Sequence, residues 1–290
     1  MQIAPFKQVD VFTRHAFGGN PVAVILDAEG LESDQMQRIA RWTNVSETAF
    51  VLPPTAPGAS YRVRIFTPMS ELPFAGHPSV GAAHALIEAG MVIPREGALV
   101  QECAAGLLPV TVIDAHDGQR IAVRAPQARA LPMPIGCERL LGAAIAGLAR
   151  GTLPPQLYDN GPRWWLVELA GDTDVRQHQP NLAAIAALTT ATGAVGLAVH
   201  AAARSADHQR VVRAYCPADG IAEDPVTGSA NASIGAQLLA AGRHAVGESY
   251  VASQGRELGR DGLVEVQLRD DGVWIGGSSV TVIDGMIRFG

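Results

Sequence analysis

The chain has 290 residues, a net charge of −6 and a pI near 5.7, with 48% hydrophobic and 17% charged residues. That composition excludes a disordered chain, and the acidic balance argues against a nucleic-acid partner, which would need a basic stripe. No apolar run follows a basic start between Met1 and Phe12, and no window approaches about 20 uninterrupted apolar residues, so neither a signal peptide nor a membrane span is expected and the cytoplasm is the default compartment. Cys103, Cys137 and Cys216 are odd in number and widely spaced, which speaks against a disulfide framework or a zinc site. Lys7 is the only lysine, a bias read first as compositional.

In chain order, Gln8–Phe12 and Val22–Leu26 read as strands, separated by Gly18-Gly19-Asn20-Pro21. Leu31–Trp42 has helical spacing, with Leu31, Met36, Ile39 and Ala40 on one side. Glu47–Leu52 and Tyr61–Phe66 read as strands, the second alternating cleanly. A helix is predicted from about Pro78 to Glu88, with Pro78 at its first position and Gly90 after its end. Strands near Leu108–Ile113 and Arg120–Arg124 join through His116-Asp117-Gly118. Pro126–Pro134 is proline-rich, without a clear period, and reads as the crossing between two halves. Beyond it, Trp164–Leu169, Gly196–His200 and Arg210–Cys216 read as strands. Leu182–Leu188 and Asn231–Ala241 read as helices. Strands near Tyr250–Ser253, Leu263–Leu268, Val273–Ile275 and Val280–Arg288 complete the chain.

The halves repeat. Glu71–Gly90 (ELPFAGHPSVGAAHALIEAG) and Glu223–Gly242 (EDPVTGSANASIGAQLLAAG) align without a gap at Glu71/Glu223, Pro73/Pro225, Gly76/Gly228, Leu86/Leu238, Ala89/Ala241 and Gly90/Gly242. Convergent loop-to-helix grammar is the alternative to duplication. Duplication explains why loop residues and helix stop match together. It predicts domains at 1–125 and 126–278. Each window is a tight loop feeding a helix N-terminus, whose N–H groups lack intrahelical partners and attract anions. A small carboxylate held in a cleft between domains is the expected ligand.

The windows differ where chemistry is expected. His77 stands opposite Ser229, and Leu72 opposite Asp224. His77 either serves a substrate or caps its loop. Asp224 either accepts from a ligand or bonds its own turn. Ser229 is favoured for ligand contact and Thr227 for loop structure, though either hydroxyl could cap the helix. Glu47, in Asn44-Val-Ser-Glu-Thr-Ala-Phe50, either faces solvent at a strand start or is partly buried, where its carboxyl would suit acid/base work.

The set Asp10-Val-Phe-Thr13, Gly19-Asn-Pro-Val-Ala-Val24, Ser46-Glu-Thr-Ala-Phe50, Arg64-Ile-Phe-Thr-Pro68, Glu71-Leu-Pro-Phe-Ala-Gly-His-Pro78 and Glu223-Asp-Pro-Val-Thr-Gly-Ser-Ala230, with Ser253-Gln-Gly-Arg-Glu-Leu-Gly-Arg260, resembles the phenazine biosynthesis PhzF-like family in order and across nearly the whole chain. The resemblance implies an α+β fold like diaminopimelate epimerase: two pseudo-symmetric domains, each a mostly antiparallel sheet wrapped around a central helix, with the final strand, about 279–290, packing on the first. It implies a homodimer and a cofactor-independent, metal-free isomerase of the trans-2,3-dihydro-3-hydroxyanthranilate type. The family's acid/base glutamate falls on Glu47, its histidine on His77, its aspartate on Asp224 and its serine on Ser229. Gly76 and Gly228 fall on loop glycines whose amides approach substrate. The fold's epimerases and racemases use paired cysteines at the two helix starts, and neither loop carries one here, so an amino-acid epimerase is the second reading. A non-catalytic small-molecule binder is the third. Asp261 stands where the family often has proline, leaving Gly259-Arg260 without an assigned role, as are Ala230–Ser233.

Overall fold

The computed structural model describes residues 2–116 and 118–289, so Asp117 of the expected His116-Asp117-Gly118 turn lies outside the described residues. The chain divides into two compact units, 1–124 with 276–290, and 125–275.

The first unit starts with β1 (Gln2–Val11) and β2 (Asn20–Ile25), then α1 (Ser33–Thr43), β3 (Glu47–Leu52), β4 (Tyr61–Phe66), the two-residue β5 (Glu71–Leu72), α2 (Gly76–Glu88), β6 (Ala98–Cys103), β7 (Gly106–Ala115) and β8 (Gly118–Arg124). β1 pairs antiparallel with β2, β2 runs parallel to β3, and β3 pairs antiparallel with β4. β4 then takes β5 antiparallel on its C-terminal end and β6 parallel on its N-terminal end, and β6, β7 and β8 form an antiparallel meander.

The second unit contains β9 (Arg129–Leu131), α3 (Glu138–Ala144), β10 (Gln156–Asp159), β11 (Arg163–Glu168), α4 (Asp172–Gln177), α5 (Leu182–Thr192), β12 (Gly196–Ala202), β13 (Arg210–Cys216), β14 (Ile221–Asp224), α6 (Gly228–Ala240), β15 (Ser249–Gln254), β16 (Gly262–Arg269) and β17 (Gly272–Gly277). Its pairing repeats the first unit's. β10 is antiparallel to β11, β11 parallel to β12, and β12 antiparallel to β13. β13 takes β14 antiparallel and β15 parallel, and β15 pairs antiparallel with β16. The last strand, β18 (Ser279–Phe289), belongs to the first unit and pairs antiparallel with β1, as β9 pairs with β10 in the second. The same order of parallel and antiparallel ladders in both units is the structural form of the sequence repeat. The whole is α+β, with mostly antiparallel sheets and few helices.

α2 and α6 are buried around nearly their whole circumference, mostly by small and apolar residues with a few buried polar ones, as central helices are. α2 touches β1, β2, β3, β4, β8 and β18, and α6 touches β9, β11 and β16. Small residues allow this approach: a Cβ added at Gly81 would lie 2.4 Å from Val22 Cγ1 and 2.9 Å from Val11 Cγ2. The lone lysine is structural. Lys7 is buried on β1 and donates to Glu88 at the end of α2 (2.9 Å) and to Asp284 on β18 (2.6 Å). A charge taken out of water needs such partners.

Several elements depart from the expectations. α2 starts at Gly76 and α6 at Gly228, two and three residues before the predicted positions. Pro78 is therefore the third helical residue, where its missing N–H costs nothing because the first turn has no acceptor for it. β6, β10 and α3 carry no clear signal in the sequence, and the proline-rich crossing contains the short β9.

Candidate active site

Of the predicted site residues, Glu47 and His77 meet in the first unit. Glu47 opens β3, its backbone paired with Val22 of β2, and its side chain is 16% exposed. His77 is the second residue of α2 and is buried. Its Nε2 lies 3.1 Å from Glu47 Oε2, an ion-pair distance not aligned as a hydrogen bond. Such contacts commonly tighten only when substrate is bound. Burial pushes the His77 imidazole down to about 3, so it is neutral near pH 7 even beside a carboxylate oxygen.

Two residues that the motifs contained but to which no role was given complete this cluster. Asn20, fully buried at the start of β2, places its Nδ2 3.4 Å from His77 Nδ1. Ser46 Oγ donates to Asn20 Oδ1 at 3.0 Å. Ser46 and Glu47 are neighbours in the chain, so Ser46, Asn20, His77 and Glu47 form a closed ring drawn from three segments.

Asp224, Thr227 and Ser229 gather in the second unit, where the end of β14 passes through a short loop into the start of α6. Thr227 Oγ1 donates to Asp224 Oδ2 at 2.5 Å, so Asp224 does bond its own turn and Thr227 holds the loop. Neither hydroxyl caps the helix, since the N-cap Thr227 makes no side-chain capping bond. Ser229 Oγ accepts from Trp164 Nε1 at 3.0 Å, and its carbonyl accepts from Asn160 Nδ2 at 2.9 Å.

Both helix starts are built alike. The N-cap residues, Ala75 and Thr227, make no side-chain cap, and neither first turn holds an acidic residue. At the fourth helical position Ser79 Oγ donates back to Ala75 O (2.9 Å), and Asn231 Nδ2 donates back to Thr227 O (2.9 Å). A fully buried glutamine holds each from a neighbouring strand. Gln101 on β6 donates to Ser79 Oγ (2.9 Å). Gln254 on β15 accepts from Asn231 Nδ2 (3.1 Å) and Thr227 N (3.0 Å), and donates to Asp224 O (3.0 Å). Outside the helices, Arg64 grips Glu71 through Nε and Nη2, both at 2.7 Å. Arg213 grips Glu223 the same way, at 2.8 and 2.7 Å. The aligned Glu71/Glu223 pair is thus a repeated structural clamp. The sequence reading missed both glutamines and both arginines as partners. Gln254 and Arg64 did stand in quoted motifs.

The thiols are elsewhere: Cys103 and Cys137 are held protonated by burial, and Cys216 is buried at the end of β13. Among the described residues no three potential metal ligands cluster, and no helix is long and apolar enough to cross a membrane.

Comparison with known proteins agrees with this architecture. The family model described as "Phenazine biosynthesis-like protein" matches residues 9–285. Antisense-enhancing sequence 1 of Schizosaccharomyces pombe is 34% identical over 97% of each chain. The trans-2,3-dihydro-3-hydroxyanthranilate isomerase of Pseudomonas aeruginosa is 35% identical, over 87% of this chain and 86% of that one. A crystal structure of a PhzF-family phenazine biosynthesis protein from Bacillus anthracis superposes with a TM-score of 0.83 at 25% identity, covering 100% of both chains. The chain belongs to the phenazine biosynthesis-like, PhzF-type family and is an isomerase of that kind.

Proposed function

We propose that the chain moves a proton between two carbons of a small carboxylate substrate of the trans-2,3-dihydro-3-hydroxyanthranilate type, with Glu47 as the acid/base. Glu47 takes the proton from one ring carbon and returns it to another. The step is redox-neutral, no atom is gained or lost, and it draws on no metal or organic cofactor. With substrate bound, neutral His77 tightens onto the Glu47 carboxylate as a hydrogen-bond donor. Asp224 accepts from the substrate's amine or hydroxyl, and Ser229 donates to it. The backbone amides at Gly76 and Gly228 are carboxylate-binding groups, and Thr227 holds Asp224 in place. We further propose that the protein acts as a homodimer.

The approach of His77 Nε2 to Glu47 Oε2 at 3.1 Å carries this reading, because it places a neutral donor against a half-buried carboxylate. The uncapped, acid-free first turns of α2 and α6 support carboxylate binding. The absence of a cysteine from either loop disfavours a two-thiol epimerase. Alkylation of thiols should leave the activity intact, and loss of activity on alkylation would favour the epimerase reading. A protein that binds the substrate without any solvent-deuterium exchange would be a binder and not an enzyme.

A further inference from the structure

We propose that Asn20, oriented by Ser46, is a positioning residue that fixes the His77 imidazole as its Nε2–H tautomer, so that the ring nitrogen facing Glu47 always carries the proton. This deepens the reading of Glu47 as the base and rests on it.

The geometry constrains the protons from two directions. Ser46 Oγ is 3.0 Å from Asn20 Oδ1, and as a hydroxyl it donates to that carbonyl oxygen. The Asn20 amide then turns its NH2 group toward His77 Nδ1, 3.4 Å away. An amide NH2 can only donate, so Nδ1 must accept and the ring proton sits on Nε2. From the other side, Nε2 faces Glu47 Oε2 at 3.1 Å. A bare Nε2 would set its lone pair against those of an ionised carboxylate, whereas an Nε2–H meets one favourably. The opposite amide orientation would reverse every role in the ring and produce that repulsion.

Burial supports the same picture. Asn20 is fully buried and His77 nearly so, and the depressed basicity of His77 keeps the ring neutral, so the tautomer is the variable left to set. His77 then keeps its own proton throughout the cycle. Glu47 both removes and returns the substrate proton, while the protonated Nε2 faces Oε2 in either state. A histidine with its proton on Nδ1 would instead present an acceptor, and would draw the captured proton away from the carbon it must reach.

The test is nitrogen NMR of the protein labelled with 15N-histidine, with the His77 signals assigned by their loss in His77→Gln. Unprotonated and protonated ring nitrogens of neutral imidazole resonate far apart, so the tautomer is read without substrate. We expect Nε2–H in the wild type. Asn20→Asp places an acceptor at Nδ1 and should invert the tautomer, with proton-exchange activity falling at least tenfold while the fold is retained. Ser46→Ala frees the amide to turn and should give mixed tautomer signals and a smaller loss; it reads the same coupling if Asn20→Asp does not fold. A wild-type Nδ1–H tautomer, or an unchanged tautomer in both folded variants, overturns the proposal. Failure of the isomerase reading shows separately, as no turnover in a wild type that still holds the Nε2–H tautomer.

Discussion

Trp164 Nε1 donates to Ser229 Oγ at 3.0 Å, so the indole occupies an acceptor lone pair of the hydroxyl and leaves its proton to be donated onward. Trp164 is buried on β11, and Ser229 sits at the second position of α6. The indole thereby decides what the serine offers. Ser229→Ala should raise KM more than it lowers kcat. Trp164→Phe, which keeps most of the ring but loses the N–H, should cost about 1 kcal/mol of substrate binding, about fivefold in KM. Steady-state kinetics on the two variants checks this, and equal losses in kcat would contradict a binding role.

Gln254 is fully buried and connects β15 to the loop that carries Asp224, through bonds to Thr227 N, Asn231 Nδ2 and Asp224 O. Gln254→Leu leaves those groups in a dry interior without their partner, at about 1–3 kcal/mol for an unsatisfied buried group. A lower denaturation midpoint is expected. Gln101→Leu, in the corresponding place beside α2, should be milder, because the partners of Gln101, the Ser79 and Tyr61 hydroxyls among them, are side chains, whereas Gln254 also holds backbone groups.

Gly81→Ala tests the close approach of α2 to β1 and β2. Alanine has the better helix propensity by about 1 kcal/mol, so in an open helix it would stabilise. Here its methyl would lie 2.4 Å from Val22 Cγ1, and overpacking typically costs about 1–3 kcal/mol. Net destabilisation in urea unfolding is the expected result.

Three buried histidines set the acid limb of stability. Burial pushes His77 and His200 down to about 3. Burial and the neighbouring Arg213 guanidinium push His178 down to about 4. Their ordinary value is about 6.5, so above that pH both folded and unfolded chains carry them neutral and they add no pH dependence. Between 6.5 and about 4 the unfolded chain binds protons that the folded chain refuses, so stability falls with falling pH. The slope is up to about 1.4 kcal/mol per pH unit for each histidine. Urea midpoints measured from pH 7.5 to 4.5 should be flat above about 6.5 and decline below. His200→Gln should shallow the decline.

What the sequence made legible follows from where the signal was local. β4 runs over Tyr61–Phe66 as its alternation indicated, because that strand buries one face and wets the other. The repeat foretold the matched ladders around α2 and α6. The helix starts were placed late because Ala75 and Thr227 make no side-chain cap, so the usual stop-start markers are missing where the helices begin. β6 was invisible since its central Gln101 is a fully buried polar residue whose partners, Ser79 and Tyr61, are distant in sequence. Family motifs named Glu47, His77, Asp224 and Ser229. They did not say that Glu47 is half-buried against His77, or that Asn20 and Ser46 close the ring, because those are tertiary contacts between segments up to 57 residues apart.

Proton transfer by Glu47 is the central claim, and deuterium uptake from heavy water into trans-2,3-dihydro-3-hydroxyanthranilate and a panel of small amino acids tests it most directly, with wild type beside Glu47→Gln. Wild type should label a substrate carbon, and the variant should lose about 10²–10⁴-fold of that rate, the usual worth of a general acid/base. Labelling that persists at the wild-type rate in a folded Glu47→Gln protein would contradict the account.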